Sequence, residues 1–182
     1  MPQRPRMPPR PPALYTSNVP SGLAAKPRSR YVAWVRFSTT DLDGNSVDQS
    51  VFADHKLTMV NVWATFCGPC ISEMPELGTL ASEYADKGMQ IVGLVSDVTD
   101  SDGNLDEAQL SLARDIVAET GANYLHVVPG EGLYGLLSQV SGVPTTLFVD
   151  SEGKQVGTAY IGAKDLDGWK AVADELLESL EA

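Results

Sequence analysis

The chain's only two cysteines stand three residues apart, as Cys67-Gly68-Pro69-Cys70, where two sequence patterns meet. Before them, Leu57, Met59, Val60, Val62 and Trp63 form an apolar run without a breaker, the pattern of a buried strand. After them, Ile71, Met74, Leu77, Leu80, Ala81 and Tyr84 recur at helical spacing. A dithiol therefore falls where a strand hands over to a helix, with Cys67 near the helix N-terminus. Free backbone N–H groups and the positive end of the helix dipole stabilise a thiolate there. In such a motif a thiol that ordinarily titrates near ~8.5 can drop to about 7 or below.

The two-residue spacer lets Cys70 reach Cys67 and close a small disulfide. Cys67, at the exposed end, is the expected nucleophile. Cys70, one turn in, is the expected resolving thiol, and the pair can exchange two electrons through a mixed disulfide. Three other readings compete. Half a zinc site would need four ligands, and beyond the cysteines the chain offers only His55 and His126 as soft donors. A structural staple over so short a loop constrains the unfolded chain little. The third is a pair of ordinary buried thiols. Redox work is the strongest of the four, and no metal or cofactor is expected.

At 182 residues the chain suits one domain, and 43% hydrophobic content suffices for a core. Its net charge of −11 is unevenly spread. Residues 1–30 carry six cations, no acid and eight of the 12 prolines. That composition predicts an extended, unpacked leader, with a folded domain over 31–182. The domain keeps seven cations against all 24 acids, a net of −17, which argues against nucleic acid as a partner. Neither an apolar run long enough to span a bilayer nor the apolar core of a signal peptide is visible.

A strand is expected over 31–37, a turn at Asp41-Leu42-Asp43-Gly44-Asn45, and a strand or helical turn over 47–54. His55 reads as a surface loop residue. Pro75 should kink the helix after Cys70, which Lys87-Gly88 closes. Further strands are expected over 89–95, 124–128, 143–150 and 156–161, with helices from Leu105 to Gly121, over 132–140 and from Leu166 to Leu180. The acidic stretch 97–106 reads as a solvated loop, and His126 as a satisfied structural residue. Strands alternating with helices, then a hairpin and a last helix, give an α/β fold with a mixed sheet.

Trp63-Ala64-Thr65-Phe66-Cys67-Gly68-Pro69-Cys70 resembles the active-site signature of the thioredoxin-like superfamily, and Gly142-Val143-Pro144-Thr145-Thr146 resembles its cis-proline loop. Glu73 followed by Pro75, the Pro-Thr-Thr, and an extra helix and strand over about 105–128 resemble the TlpA/ResA-type branch of extracytoplasmic thiol-disulfide oxidoreductases, within the wider redoxin/AhpC-TSA-like group. The likeness covers residues 37–180. It implies a thioredoxin-like fold, with a mixed central sheet flanked by helices, an N-terminal β extension and a central helix–strand insertion.

The resemblance also implies roles. Cys67 attacks, Cys70 resolves, and Pro144 is cis and packs against the disulfide. Val143 pairs its backbone with an extended client, and Trp63, Phe66, Gly68 and Pro69 complete the client-binding surface. Asn61 stands where thioredoxin has a buried Asp and cannot take a proton, so Glu73 becomes the proton-handling candidate; the competing reading is a solvated first-turn residue. The implied function is reduction of disulfides in client proteins. The spacer is that of thioredoxin, whose potential is about −270 mV, against about −120 mV for a strong oxidant. The implied setting is an extracytoplasmic monomer recharged by a membrane electron donor of the CcdA/DsbD type. Two alternatives are weaker. A peroxiredoxin-type peroxidase would need Thr and Pro where Ala64 and Val60 stand. A Sco-like copper-binding module would need CxxxC and a distant His, here only His126.

Overall fold

The computed structural model describes residues 37–181. The Pro/Arg-rich leader and most of the strand expected over 31–37 lie outside them. Phe37 itself is not in a strand; the first one is β1 (Ser38–Thr40), which pairs antiparallel with β2 (Ser46–Asp48). Asp41 closes the turn between them by accepting hydrogen bonds from the backbone of Asp43 and Asn45, at 2.9 Å each, and Gly44 supplies the positive φ. The segment expected to be a strand or a helical turn is both in succession, since β2 runs into a 3-10 helix, Gln49–Phe52.

A five-stranded sheet follows, in the order β5-β4-β3-β6-β7. Its strands are β3 (Leu57–Trp63), β4 (Met89–Val95), β5 (Leu125–Val127), β6 (Thr145–Asp150) and β7 (Gln155–Ile161). β3, β4 and β5 are parallel, whereas β6 and β7 run antiparallel to their neighbours. Helix α1 (Gly68–Tyr84) leaves β3, α2 (Glu107–Thr120) links β4 to β5, α3 (Tyr134–Leu137) precedes β6, and α4 (Leu166–Glu181) closes the domain. The expected helix–strand insertion is thus α2 and β5. It extends the sheet by one strand, whose outer side is covered by the N-terminal hairpin through Val128 N–H to the Thr40 carbonyl (3.0 Å) and Leu42 N–H to the His126 carbonyl (3.2 Å).

All seven residues of β3 are buried, so the strand is covered on both faces. Leu57 and Met59 meet Leu77 and Leu80 of α1 and Trp169, Ala173 and Leu177 of α4. At the strand's far end Trp63 meets Cys70, Met74 and the α2 residues Leu110, Ala113 and Ile116. On the opposite face Val60 and Val62 meet Phe37, Phe52 and Leu133. Pro75 does not break α1, which is continuous from Gly68 to Tyr84. Pro75 is solvent-exposed, so the crowding its ring imposes falls on the outer face of the helix. Leu105 lies before α2, which Asp106 caps by accepting from the Ala108 and Gln109 N–H groups.

Gly93, in the middle of β4, leaves the gap in which two rings meet. A Cβ there would lie 2.3 Å from His126 Nδ1 and 3.1 Å from Trp63 Nε1. Gly93→Ala should therefore destabilise the fold by about 1–3 kcal/mol, the usual cost of overpacking. Urea unfolding at neutral pH measures it; a loss below about 0.5 kcal/mol would mean the two rings yield freely.

Candidate active site

Three chain segments arrive at one end of the sheet. Parallel β3 and β4 both finish there, with Ser96 N–H donating to the Trp63 carbonyl at 2.8 Å. Antiparallel β6 starts there, with Thr145 opposite Val62. Residues 64–70 and the segment before Thr145 are thereby neighbours in space though some 75 residues apart in sequence.

Cys67 is the N-cap of α1. Its backbone is extended (φ −89°, ψ 100°), and its Sγ accepts the Cys70 N–H at 3.2 Å. Pro69, in the first turn, costs no hydrogen bond, because its N–H would have had no helical partner. Cys67 and Cys70 form a disulfide, with Cα atoms 5.3 Å apart. Both are buried, while Phe66, Gly68 and Pro69 around them are exposed, Phe66 by 78%.

The Val143–Pro144 bond is cis, in keeping with proline's small cis penalty. Val143 packs against the cluster that contains both cysteines. Pro144 is buried, and its carbonyl accepts Gly162 N–H at 2.9 Å, tying the loop to the end of β7. Ile161, the last residue of β7, is 72% exposed beside it.

Glu73 is not a solvated first-turn residue. It is 3% exposed. Its Oε1 accepts from Asn61 Nδ2 at 3.0 Å, and its Oε2 from Lys164 N–H at 3.1 Å and Trp169 Nε1 at 3.3 Å. Asn61 also donates to Thr146 Oγ1 at 3.0 Å. Burial pushes the Glu73 pKa above the usual carboxylate range, against the lowering effect of the three donors; the nearby Glu76 adds to the rise. Cys70 and Glu73 stand at i, i+3 on α1, both buried, which places their side chains on one face.

Two contributors escaped the sequence reading. Asp97 begins the acidic stretch taken for a solvated loop, yet its carboxylate accepts Thr65 N–H at 3.0 Å and the Thr65 hydroxyl at 2.6 Å, holding the segment that leads into Cys67. Val98 beside it is buried in the core, and residues 100–106 are exposed and folded on themselves, with Asp100 accepting from the Asp102 and Asn104 backbones. The second is Trp169, whose spacing from Leu166, Ala173 and Leu177 in α4 fits a core position. Nothing in that spacing shows that its indole N–H reaches Glu73. His55 also differs from a plain loop residue, since its Nδ1 is buried without a hydrogen-bond partner.

His126 is buried and engaged at both ring nitrogens. Nδ1 accepts from Trp63 Nε1 at 3.2 Å, and Nε2 lies 3.1 Å from the Ala122 carbonyl, which it faces as the protonated nitrogen. A copper module would need this histidine free. Instead it is a structural residue, as expected, and burial lowers its pKa to about 4.

The Redoxin family matches residues 24–164. The chain belongs to that family. Among its relatives is the thiol-disulfide oxidoreductase ResA of Bacillus anthracis, 31% identical over 120 residues, which are 66% of this chain and 63% of that protein. Another is the thiol:disulfide interchange protein DsbE of Yersinia pestis, 29% identical over 133 residues, 73% of this chain and 62% of that protein. The chain thus spans slightly less than two thirds of the length of these curated relatives. The crystal structure of a thioredoxin-family thiol:disulfide interchange protein from Chlorobium tepidum superposes with a TM-score of 0.65 at 21% identity, covering 82% of this chain and 98% of that one. A secreted Mycobacterium tuberculosis disulfide oxidoreductase gives 0.59 at 19%, covering 77% and 96%. The fold is therefore thioredoxin-like, with the mixed sheet and N-terminal two-stranded extension that the resemblance implied. Among the described residues no helix is long and apolar enough to cross a membrane.

Two buried titratable groups, His126 and Glu73, act on stability in opposite directions. His126 binds a proton near pH 4 when folded and near ~6.5 when unfolded, so its contribution is present above about pH 6.5 and lost as pH falls towards 4. The loss is of order 3 kcal/mol. Glu73, raised in the fold, holds a proton that the unfolded chain has released, so its contribution falls as pH rises through the raised value. Histidine ring resonances followed by NMR should show His126 titrating about two units below free histidine. A midpoint at or above 6 would contradict the buried, doubly bonded ring.

Proposed function

We propose that the chain is a thiol–disulfide oxidoreductase that reduces disulfides in client proteins. The observation that carries this reading is a cysteine pair capping a helix, with a buried carboxyl group of raised pKa on the same helix face one turn on.

In the reduced protein the Cys67 thiolate is stabilised by the free N–H groups of the first turn, among them Cys70 N–H. It attacks one client sulfur, the client S–S bond breaks, and the other client sulfur leaves as a thiolate. Cys70 then gives its proton to the Glu73 carboxylate and attacks Cys67 Sγ. The mixed disulfide breaks, the Cys67–Cys70 bond forms, and the second client sulfur leaves. The proton held by Glu73 and one from solvent complete two client thiols. Two electrons have passed from the protein to the client.

The client lies along the Val143–Pro144 segment as an added strand. Phe66 beside Cys67 and Ile161 beside Pro144 offer exposed apolar contacts, and Gly68 and Pro69 are exposed next to Cys67. An upstream dithiol donor, of the CcdA/DsbD membrane type, returns the electrons. The protein works as an extracytoplasmic monomer, the setting that the TlpA/ResA resemblance implies.

Single-cysteine variants test the order of events. With a disulfide-bonded client, Cys70→Ser should accumulate a mixed disulfide through Cys67, and Cys67→Ser should accumulate none. Glu73→Gln should fold and bind client while slowing reduction about tenfold or more. If the wild-type protein reduces no protein disulfide, the reading fails. If Glu73→Gln matches wild type across the pH range, the proton leaves Cys70 by another route.

A further inference from the structure

Tyr124 lies just before β5, where the two clusters on the α1 side of the sheet meet. Its ring stacks at 4.4 Å on His126, tilted by 31°. The residue as a whole is half-buried, but its hydroxyl is buried and has no hydrogen-bond partner within the protein. An unpaired buried hydroxyl is costly, so the arrangement calls for a partner. The charge of Glu73 is felt at this phenol. Glu73 occupies the same seam: its helix neighbour Met74 belongs to the cysteine-containing cluster, and its partner Trp169 to the other.

We infer that Tyr124 is a positioning residue for the proton step: its hydroxyl, through one enclosed water, is a fourth hydrogen-bond donor to the Glu73 carboxylate. This rests on the oxidoreductase reading above. A phenol suits the task because it stays neutral. Burial first, and the Glu73 charge second, hold its pKa above the usual tyrosine range. It therefore donates whenever Glu73 is ionised and takes no proton from it. A water between two polar groups too far apart for direct contact is an ordinary bridge.

Glu73 becomes ionised when it hands on the proton taken from Cys70. The three visible donors come from β3 (Asn61), the residues before α4 (Lys164 N–H) and α4 itself (Trp169). The β5 side contributes none except through Tyr124. The other titratable groups that bear on this pair are Glu76 on α1, which raises the Glu73 pKa, the Lys164 ammonium, held over the Tyr160 and Trp169 rings, and His126, neutral above about pH 4. None of them replaces a donor on the β5 side.

The test is Tyr124→Phe, which keeps the ring and its packing. The Glu73 carboxyl band is followed by infrared titration of the oxidised protein and assigned by its loss in Glu73→Gln. Removing a donor to the ionised form should raise the midpoint by about half a pH unit or more. Incorporating 3-fluorotyrosine at position 124, a stronger donor, should lower it. In turnover, the acidic limb of client reduction should move upward in Tyr124→Phe by the same amount, and should not move when Tyr124→Phe is added to Glu73→Gln. A midpoint that stays unchanged or falls in Tyr124→Phe overturns the inference, whatever happens to the melting temperature. The infrared midpoint needs no client, so it answers even if the protein proves unable to reduce disulfides; that second result would instead overturn the proposed function.

Discussion

A single buried carboxyl group ties together the elements that carry the chemistry. Glu73 belongs to α1, and through Asn61, Lys164 N–H and Trp169 it reaches β3, the turn after β7, and α4. Burying a carboxylate without partners would be far more costly than folding can absorb. Three donors make it tolerable, yet burial still dominates, so the group is held ready to be neutral. Its neighbours are consequently fixed. Asn61 must present its amide to both Glu73 and Thr146, which sets β3 against β6. Trp169 must keep its indole N–H on Oε2, which sets the angle at which α4 docks.

The same end of the sheet gathers the cysteines and the cis-proline segment for a topological reason. Crossover connections bring β3 and β4 to a common finishing edge, where the next helix starts and its unpaired N–H groups face outward. β6 runs the other way, so its first residue, not its last, arrives at that edge. Pro144 can therefore stand just before a central strand without removing a ladder hydrogen bond from it. Asp97, immediately after β4, then holds Thr65 in place and fixes how the chain leaves β3 for Cys67.

Much of this was legible in the residues. The β3–α1 junction could be read because its apolar run switches from a continuous strand pattern to helical spacing across two cysteines. The expected hairpin after the strand over 143–150 is β6–β7, which turns at Ser151-Glu152-Gly153-Lys154, with Gly153 at positive φ. The N-terminal part is less legible. The segment over 46–52 changes from strand to 3-10 helix within seven residues, too few for either period to declare itself. Pro75 lies within a continuous α1, where its exposed position leaves the buried face of the helix intact. Asp97 and Trp169 were hidden for a shared reason. Their partners, Thr65 and Glu73, are 32 and 96 residues away, and spacing along one element carries no information about a contact across the fold.

The polar groups buried here make the stability of the fold depend on pH. Trp63 and His126 satisfy one another in the gap over Gly93, and the cost is a histidine that cannot charge above about pH 4 without disturbing the fold. Glu73 brings the opposite dependence, weakening the fold as it ionises. An apolar residue at position 73, beside Trp169, would avoid that penalty. It would also leave Cys70, 1% exposed, with no proton acceptor on its own face of the helix. Water reaches a thiol so deeply buried only with difficulty, and a thiol that keeps its proton cannot resolve a mixed disulfide. On the proposed reaction, the destabilising carboxyl group is the cost of moving a proton where solvent cannot.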